Sequence, residues 1–443
     1  MDEEHHERRR PGVGQREPIV RAHARARLAP VKALGCALAL ALGSAAPPMY
    51  AADRSPAGPP AHGSVVFATM LGVVTAAEIE RRAAGFFEMY PVPGMSWDVE
   101  AWSLVYASED FDGTPVEVKA QLFVPRIPGS PERPVLVFGS GTTGIADACA
   151  PSLEQPEVRR LGWYTANMLS YAGRGTIVMF PDYIGFNDPA RPQRYFSSRA
   201  EAHAMLDGAR AALAFMAGSR RPVRAAARVF AAGYSQGGHA AFAAADMRPA
   251  YAPEVPLAGI IGFGATCDLT ALLREGPVYA PFLLYSWSQM YGTLDVDPAR
   301  ILQDRWASTL AADAGRMCVD EFQVYYPSQA AKLYRADFLQ ALNNNRVAAV
   351  VPRFAEMLAE NRAGLSGHGL PALIVQGNAD IVVTTSSQDR FVAALRKAGS
   401  AVRYLALDGV RHRYTRPAGF IASIDWMELI ASGNPAPSDG RGH

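Results

Sequence analysis

Val229-Phe-Ala-Ala-Gly-Tyr-Ser-Gln-Gly-Gly-His239 is an apolar run that stops at a glycine, presents one serine and resumes as an alanine-rich segment. Gly233-x-Ser235-x-Gly237 is the pattern of a sharp strand-to-helix turn that lifts a serine hydroxyl above a sheet, with small residues two before and two after where backbone passes backbone. The neighbours supply the context that a bare pattern lacks. Arg228 to Ala232 reads as a short buried strand, and Gly238 to Met247 (GHAAFAAADM) as a helix with little side-chain bulk toward a sheet. Ser235 is therefore the candidate nucleophile.

Outward from this turn the same regime recurs. Pro134 to Phe138, Thr176 to Phe180, Leu257 to Phe263, Ala372 to Gln376 and Val402 to Leu407 are short runs apolar throughout, separated by helical patterns. Strands buried on both faces and joined by helices make a parallel sheet with right-handed crossovers. Upstream, Trp102 to Ser108 and Val116 to Val124 alternate apolar and polar residues around Asp110-Phe-Asp-Gly113, which predicts an antiparallel hairpin. The segment Ala76 to Phe87 reads as an amphipathic helix before it, and the core is expected to begin after that helix. A hairpin feeding a mostly parallel sheet flanked by helices, with the serine turn on a middle strand, is the α/β-hydrolase fold. Its core is expected over 63–267 and 370–433. Residues 268–369, about a hundred, far exceed an ordinary connection. Helical patterns at Pro298 to Ala312 and Arg346 to Arg362, and the aromatic density of Tyr279 to Tyr291, predict an inserted helical cap over the serine.

A serine hydroxyl needs a base, usually histidine, oriented by a carboxylate. Of nine histidines, His5, His6 and His23 precede the first apolar run, His62 follows it in a loose segment, and His443 is terminal. His239 lies one turn past Ser235 on the same helix and projects away from the site. His203 falls in the helix Ser198 to Met216 as a packed histidine, and His368 in a Gly-rich hinge. His412 follows Val402 to Leu407 and is the expected base. Asp380, in Gln376-Gly-Asn-Ala-Asp380, follows the strand before it and is the expected acid; the order Ser, Asp, His is that of this architecture. Asp408 is the competing acid, and Asp182 ends a strand upstream of the nucleophile. Negative charge developing on a substrate carbonyl needs two fixed donors. The backbone N–H of Gln236 is one, and the glycine-rich Gly139-Ser-Gly-Thr-Thr-Gly144 supplies the other from Thr142, with Thr143 next. A phosphate-cradling reading of that loop lacks its Gly-Lys-Ser/Thr.

The 443 residues are 49% hydrophobic, and 43 Lys+Arg against 42 Asp+Glu leave a charge of +1, which argues against nucleic acid as a partner. Lys32 followed by Ala33 to Ala46 is a positive residue and then an apolar run, shorter than the roughly 20 residues a bilayer needs. This is a secretory signal layout, expected over 1–50 with cleavage between Ala45 and Ala52, and with a translation start nearer Val31. Cys36 lies inside the run. The three remaining cysteines permit one disulfide and one free thiol. Sequence does not fix the pairing; Cys149 with Cys318 would clamp the insertion to the site, and Cys267 would stay a buried thiol. The tail from Asn434 is expected to be disordered, and no metal site or cofactor is called for.

GSGTTGIADACAPS (Gly139 to Ser152), FPDYIGF (Phe180 to Phe186), GYSQGGHAA (Gly233 to Ala241), QGNADIVV (Gln376 to Val383) and the late His412, with the long insertion before the acid, resemble the secretory lipase family of bacteria and fungi. The resemblance covers about Trp102 to Trp426. It implies an exported α/β-hydrolase with a helical lid that cleaves acylglycerol-type carboxylic esters without a cofactor, with Ser235, Asp380 and His412 as its triad. Transient contact with a lipid interface is a further expectation. Ser140-Gly141 stands where related hydrolases often have His-Gly. An apolar cap would favour medium or long acyl chains. Acyl transfer to an alcohol or amide hydrolysis would use the same residues, and a catalytically silent exported binding protein is the reading from another class.

Overall fold

The computed structural model describes residues 49–51, 60–155, 158–159, 161–218 and 221–433. Residues 1–48 of the expected signal segment and the tail from 434 lie outside them, whereas 49–51, inside the expected cleavage window, are described. Among the described residues ten strands form one sheet: β1 (Met49–Ala51), β2 (Val65–Val74), β3 (Val99–Glu109), β4 (Pro115–Pro125), β5 (Glu132–Gly139), β6 (Ile177–Pro181), β7 (Arg224–Tyr234), β8 (Leu257–Phe263), β9 (Ala372–Gly377) and β10 (Val402–Leu407). Their order is β1-β2-β3-β4-β6-β5-β7-β8-β9-β10. The edges from β1 to β4 and on to β6 are antiparallel, and every pairing from β6 to β10 is parallel. β7, which carries Ser235 at its end, lies between β5 and β8 in the parallel part, so the loops at its carboxyl end converge above the sheet.

Alternation within the central strands divides the core into two layers. Val229 and Ala231 of β7, with Ala372 and Ile374 of β9, face one layer; Phe230 and Ala232, with Leu373 and Val375, face the other. The first layer is closed by α3 (Ser198–Ala217) and α4 (Gln236–Tyr251), whose alanines at 240, 241 and 243–245 are fully buried and let the helix lie close to the strands. The second is closed by α1 (Ala76–Phe87), α2 (Tyr164–Gly173) and the last helix, Thr415–Ala431.

Three features differ from the sequence expectation. The sheet begins before α1, not after it: β2 pairs with β3 in a register broken between Val65 and Phe67 and between Met70 and Gly72. Those irregularities hide the period of two, and Phe67, Leu71 and Val73 stay exposed although the run VVFATMLGVV is almost wholly apolar. The patterns Pro298 to Ala312 and Arg346 to Arg362 are each broken, giving short helices at Asp304–Ala307, Leu310–Ala314 and Pro352–Glu360 with 3₁₀ turns before them. Finally, the aromatic stretch forms the helix Ala280–Tyr291, whose Phe282, Leu283, Leu284 and Trp287 are fully buried among Leu310, Phe322, Phe338, Phe354 and their neighbours. Its apolar surface builds the interior of the helical segment. No helix among the described residues is long and apolar enough to cross a membrane.

Candidate active site

Ser235 closes β7 at φ 54° and ψ −113°, a backbone region that costs a non-glycine residue about 1–3 kcal/mol and persists only where the surroundings impose it. They do so here. Its N–H donates to the Phe263 carbonyl of β8 at 2.9 Å, and its carbonyl accepts from Thr266 N–H at 3.2 Å and from Gly238 N–H at 3.0 Å. A side chain at Gly237 would collide with the carbonyl of Gly139 on β5, so the turn can approach the neighbouring strand only as glycine. Helix α4 starts at Gln236, earlier than the sequence pattern placed it. The N–H of Gln236 therefore belongs to the first turn, whose donors have no intrahelical acceptor.

Asp380 stands in the turn after β9. Its Oδ1 accepts from the backbone N–H of Val382 at 2.8 Å and of Val383 at 2.9 Å, and its Oδ2 meets Nδ1 of His412 at 2.6 Å. These bonds fix which oxygen faces the histidine. Gly264, at φ +53° after β8, leaves the room the pair needs: a Cβ there would stand 2.9 Å from His412 Nδ1. His412 opens a 3₁₀ turn after β10, and the Tyr234 ring lies 4.8 Å from its own. With Nδ1 donating to the carboxylate, the neutral ring keeps a lone pair on Nε2, which is buried and has no hydrogen-bond partner. Ser235 Oγ is 3.4 Å from Thr266 Oγ1 in this state and makes no bond to His412; such bonds are often loose in a free site and tighten with ligand.

Ser235, His412 and Thr142 line one cavity of about 520 Å³. Thr142 is held by its hydroxyl, 2.7 Å from Tyr195 OH. Its neighbours are committed elsewhere. Gly141 N–H donates to Tyr164 OH at 2.7 Å, and the Thr143 carbonyl accepts from Val319 N–H at 2.8 Å. Thr143 is buried and does not reach the cavity. A disulfide between Cys149 and Cys318 and a bridge between Gly144 and Cys318 join this loop to the helical segment, leaving Cys267 buried and free. Burial pushes Tyr164 and Tyr279 up to about 12, so both phenols stay neutral and offer the cavity ring faces and hydroxyls. Of the stretch Tyr279 to Tyr291 only Tyr279 lines the cavity, alongside polar Asp320, Gln323, Glu88, Arg413 and Arg416. Phe86, Leu161, Trp163, Tyr234 and Val319 add apolar and aromatic surface to the same cavity.

The other candidates are placed apart. His203 Nδ1 is 2.9 Å from the Glu109 carbonyl and its ring stacks on Tyr251; burial lowers its pKa. His368 accepts from Leu370 N–H, and Asp408 accepts from Asn378. Asp182 is buried against Ser152 and Asn187 and pushed up by desolvation. His239 is fully buried with Nδ1 2.6 Å from Glu201 Oε2 and Nε2 2.7 Å from the Asn361 carbonyl. Glu201 Oε1 accepts in turn from Gln236 Nε2 at 2.8 Å and Phe196 N–H at 3.0 Å. This carboxylate went unnoticed in the sequence; a glutamate inside an otherwise apolar helix face was its only signal. Among the described residues no group of three or more His, Cys, Asp or Glu is placed to hold a metal ion.

The secretory lipase family profile matches residues 165–439, more than half of the chain. The chain belongs to the secretory lipase family. Over 195 residues it is 31% identical to the secreted triacylglycerol lipase LIP4 of Malassezia globosa, covering 42% of this chain and 40% of that one. Over 359 residues it is 24% identical to the secreted triacylglycerol lipase LIP1 of Malassezia furfur, covering 75% and 68%. The chain thus spans less than half the length of the first relative and about two thirds of the second. Among solved structures, a variant of the rice cell wall degrading esterase LipA from Xanthomonas oryzae superposes with TM-score 0.70 at 20% identity, over 84% of this chain and 100% of that one. Candida antarctica lipase A in its closed state gives 0.62 at 19% identity, over 86% and 85%. At such identity these likenesses show the fold, an α/β-hydrolase fold, which this secretory lipase family member shares.

Proposed function

We propose that this protein is an exported serine hydrolase of lipid-type carboxylic esters, working through an acyl-enzyme. The observation that carries the reading is a histidine whose Nδ1 is bonded to a buried carboxylate and whose Nε2 is bare, on the same cavity as a serine held in an elbow. Ser235 attacks the ester carbonyl while His412 Nε2 takes its proton, and Asp380 orients the ring and stabilises the imidazolium. The N–H groups of Gln236 and Thr142 receive the oxyanion, the first aided by the positive end of α4. His412 then returns the proton to the departing alcohol, and water, activated by the same nitrogen, releases the acid. Membership of the family supports ester chemistry, and the names of the relatives together with the signal-like N-terminal pattern support export.

The test is hydrolysis of nitrophenyl esters from acetyl to palmitoyl by the wild type and by Ser235→Ala. The variant should lose on the order of 10⁴-fold or more in kcat with its fold intact. A fluorophosphonate probe should label Ser235 in the wild type. Undiminished turnover by the variant sinks the mechanism, and an unlabelled serine turns the reading toward a binding protein.

A further inference from the structure

Arg416 sits four residues past His412, in the first turn of the helix Thr415–Ala431, and lines the same cavity as Ser235 while only 4% exposed. A guanidinium is always charged and carries five N–H donors. Two of the five find acceptors: Nη2 donates to the Gly162 carbonyl at 2.7 Å and Nη1, weakly, to Asn167 Oδ1 at 3.3 Å. Nε is buried with no acceptor. The plane is held by ring faces, 4.6 Å from the centres of Tyr164 and Tyr234 and 5.2 Å from Phe86. Burying a charge normally requires a counter-charge. Yet no described carboxylate forms an ion pair with Arg416, whereas Arg413 on the same wall pairs with Glu88 at 3.2 Å.

The remaining charges around the cavity do not neutralise it. Asp320 is exposed, and Glu88 is about half exposed and paired, so solvent screens both. Asp380 stands behind His412 and is committed to it. Glu154 is close enough to feel Arg416, but it forms no ion pair with it, accepts from Thr165 N–H and does not line the cavity. Among the described lining residues Arg416 is therefore the one buried charge, fixed by stacking and keeping unused donors. The Tyr234 ring, which stacks on Arg416, also lies 4.8 Å from the His412 ring, so the charge stands a short span from the reacting nitrogen.

We propose that Arg416 makes the cavity select esters carrying a carboxylate a few bonds from the scissile carbonyl, half-esters of short dicarboxylic acids being the simplest class. The inference rests on the serine ester hydrolase reading and adds the chemical class of substrate. In a site poor in water, charge-assisted bonds to the guanidinium hold that carboxylate and set the carbonyl over Ser235.

The experiment compares monoethyl glutarate with ethyl pentanoate, matched in chain length, by titrating released acid. The wild type should favour the half-ester by about tenfold or more in kcat/KM, the scale of one hydrogen bond to a charged group. Arg416→Gln should bring the ratio to about one or below, and Arg416→Lys should keep part of it. In the wild type alone, free glutarate should inhibit ethyl pentanoate hydrolysis more strongly than pentanoate does, and added salt should narrow the gap. A wild-type ratio near one, a ratio unchanged in Arg416→Gln, or equal inhibition by the two acids overturns the proposal. Ethyl pentanoate turnover that disappears in Ser235→Ala leaves the underlying reading standing in each of those cases. Turnover of neither ester by the wild type removes both.

Discussion

Two histidine–carboxylate pairs lie close to the serine turn, and at their first contact they are alike: Nδ1 is 2.6 Å from a carboxylate oxygen in both His412–Asp380 and His239–Glu201. Each carboxylate has its other oxygen occupied by two donors, Val382 and Val383 N–H in one, Gln236 Nε2 and Phe196 N–H in the other. They part at the second nitrogen. Nε2 of His412 has no hydrogen-bond partner, while Nε2 of His239 meets the Asn361 carbonyl. A carbonyl only accepts, so His239 must donate from both nitrogens or share a proton with Glu201; that pair holds one proton more than the other. On the proposed function, what separates a base from a strut is the occupancy of one lone pair, not the carboxylate behind it.

The same isosteric change should then act oppositely at the two sites. In Asp380→Asn the amide oxygen stays with Val382 and Val383 N–H, which turns the amide NH₂ toward His412. Nδ1 must accept, the proton moves to Nε2, and the ring can no longer take one from Ser235. A loss of about 10⁴-fold in kcat is expected, with the melting transition little changed. Retention of a tenth of the activity, read by steady-state kinetics on nitrophenyl esters, would mean that the tautomer is not what Asp380 controls.

How much of this was legible in the chain depends on whether a residue acts through its local turn. Ser235, Asp380 and His412 each stand at the end of an apolar run, so turn chemistry and chain order brought them out. Thr142 came out with the glycine-rich loop, ahead of Thr143, and of the two only Thr142 lines the cavity in the folded chain. Glu201 and Arg416 were not legible: their partners lie far along the sequence, and a charge in a helical pattern reads by default as solvated. β2 escaped because its bulges break the alternation on which strand reading depends. Most of the aromatic stretch from Tyr279 goes to the interior of the helical segment, since an insertion long enough to fold needs its own interior, while Tyr279 itself lines the cavity.

A second way to press the comparison is to remove the carboxylate of the strut. Glu201→Ala strands Gln236 Nε2 and Phe196 N–H and leaves the fully buried His239 Nδ1 without a partner, only the Nε2 bond to Asn361 remaining. Breaking a buried pair from one side costs about 3–5 kcal/mol. Urea denaturation should show a loss of that size, larger than the change in the melting behaviour of Asp380→Asn. An unaltered midpoint would show that the pair bears no weight in the fold.

The smallest effect is expected from Glu201→Gln, and it is the sharpest test of the proton count. The donors Gln236 Nε2 and Phe196 N–H hold the amide oxygen in place of Oε1, which leaves the NH₂ facing His239 Nδ1. A neutral His239 can accept there and still donate from Nε2 to Asn361, so every hydrogen bond survives with one proton fewer and no buried charge. Stability should fall by less than about 1 kcal/mol, or rise, because a satisfied neutral network escapes the desolvation of an ion pair. Esterase activity should stay within a few fold, since Gln236 keeps its anchor and its N–H keeps its direction. If this variant instead loses activity as Asp380→Asn does, His239 takes part in proton transfer, and the two pairs are not base and strut but two halves of one relay.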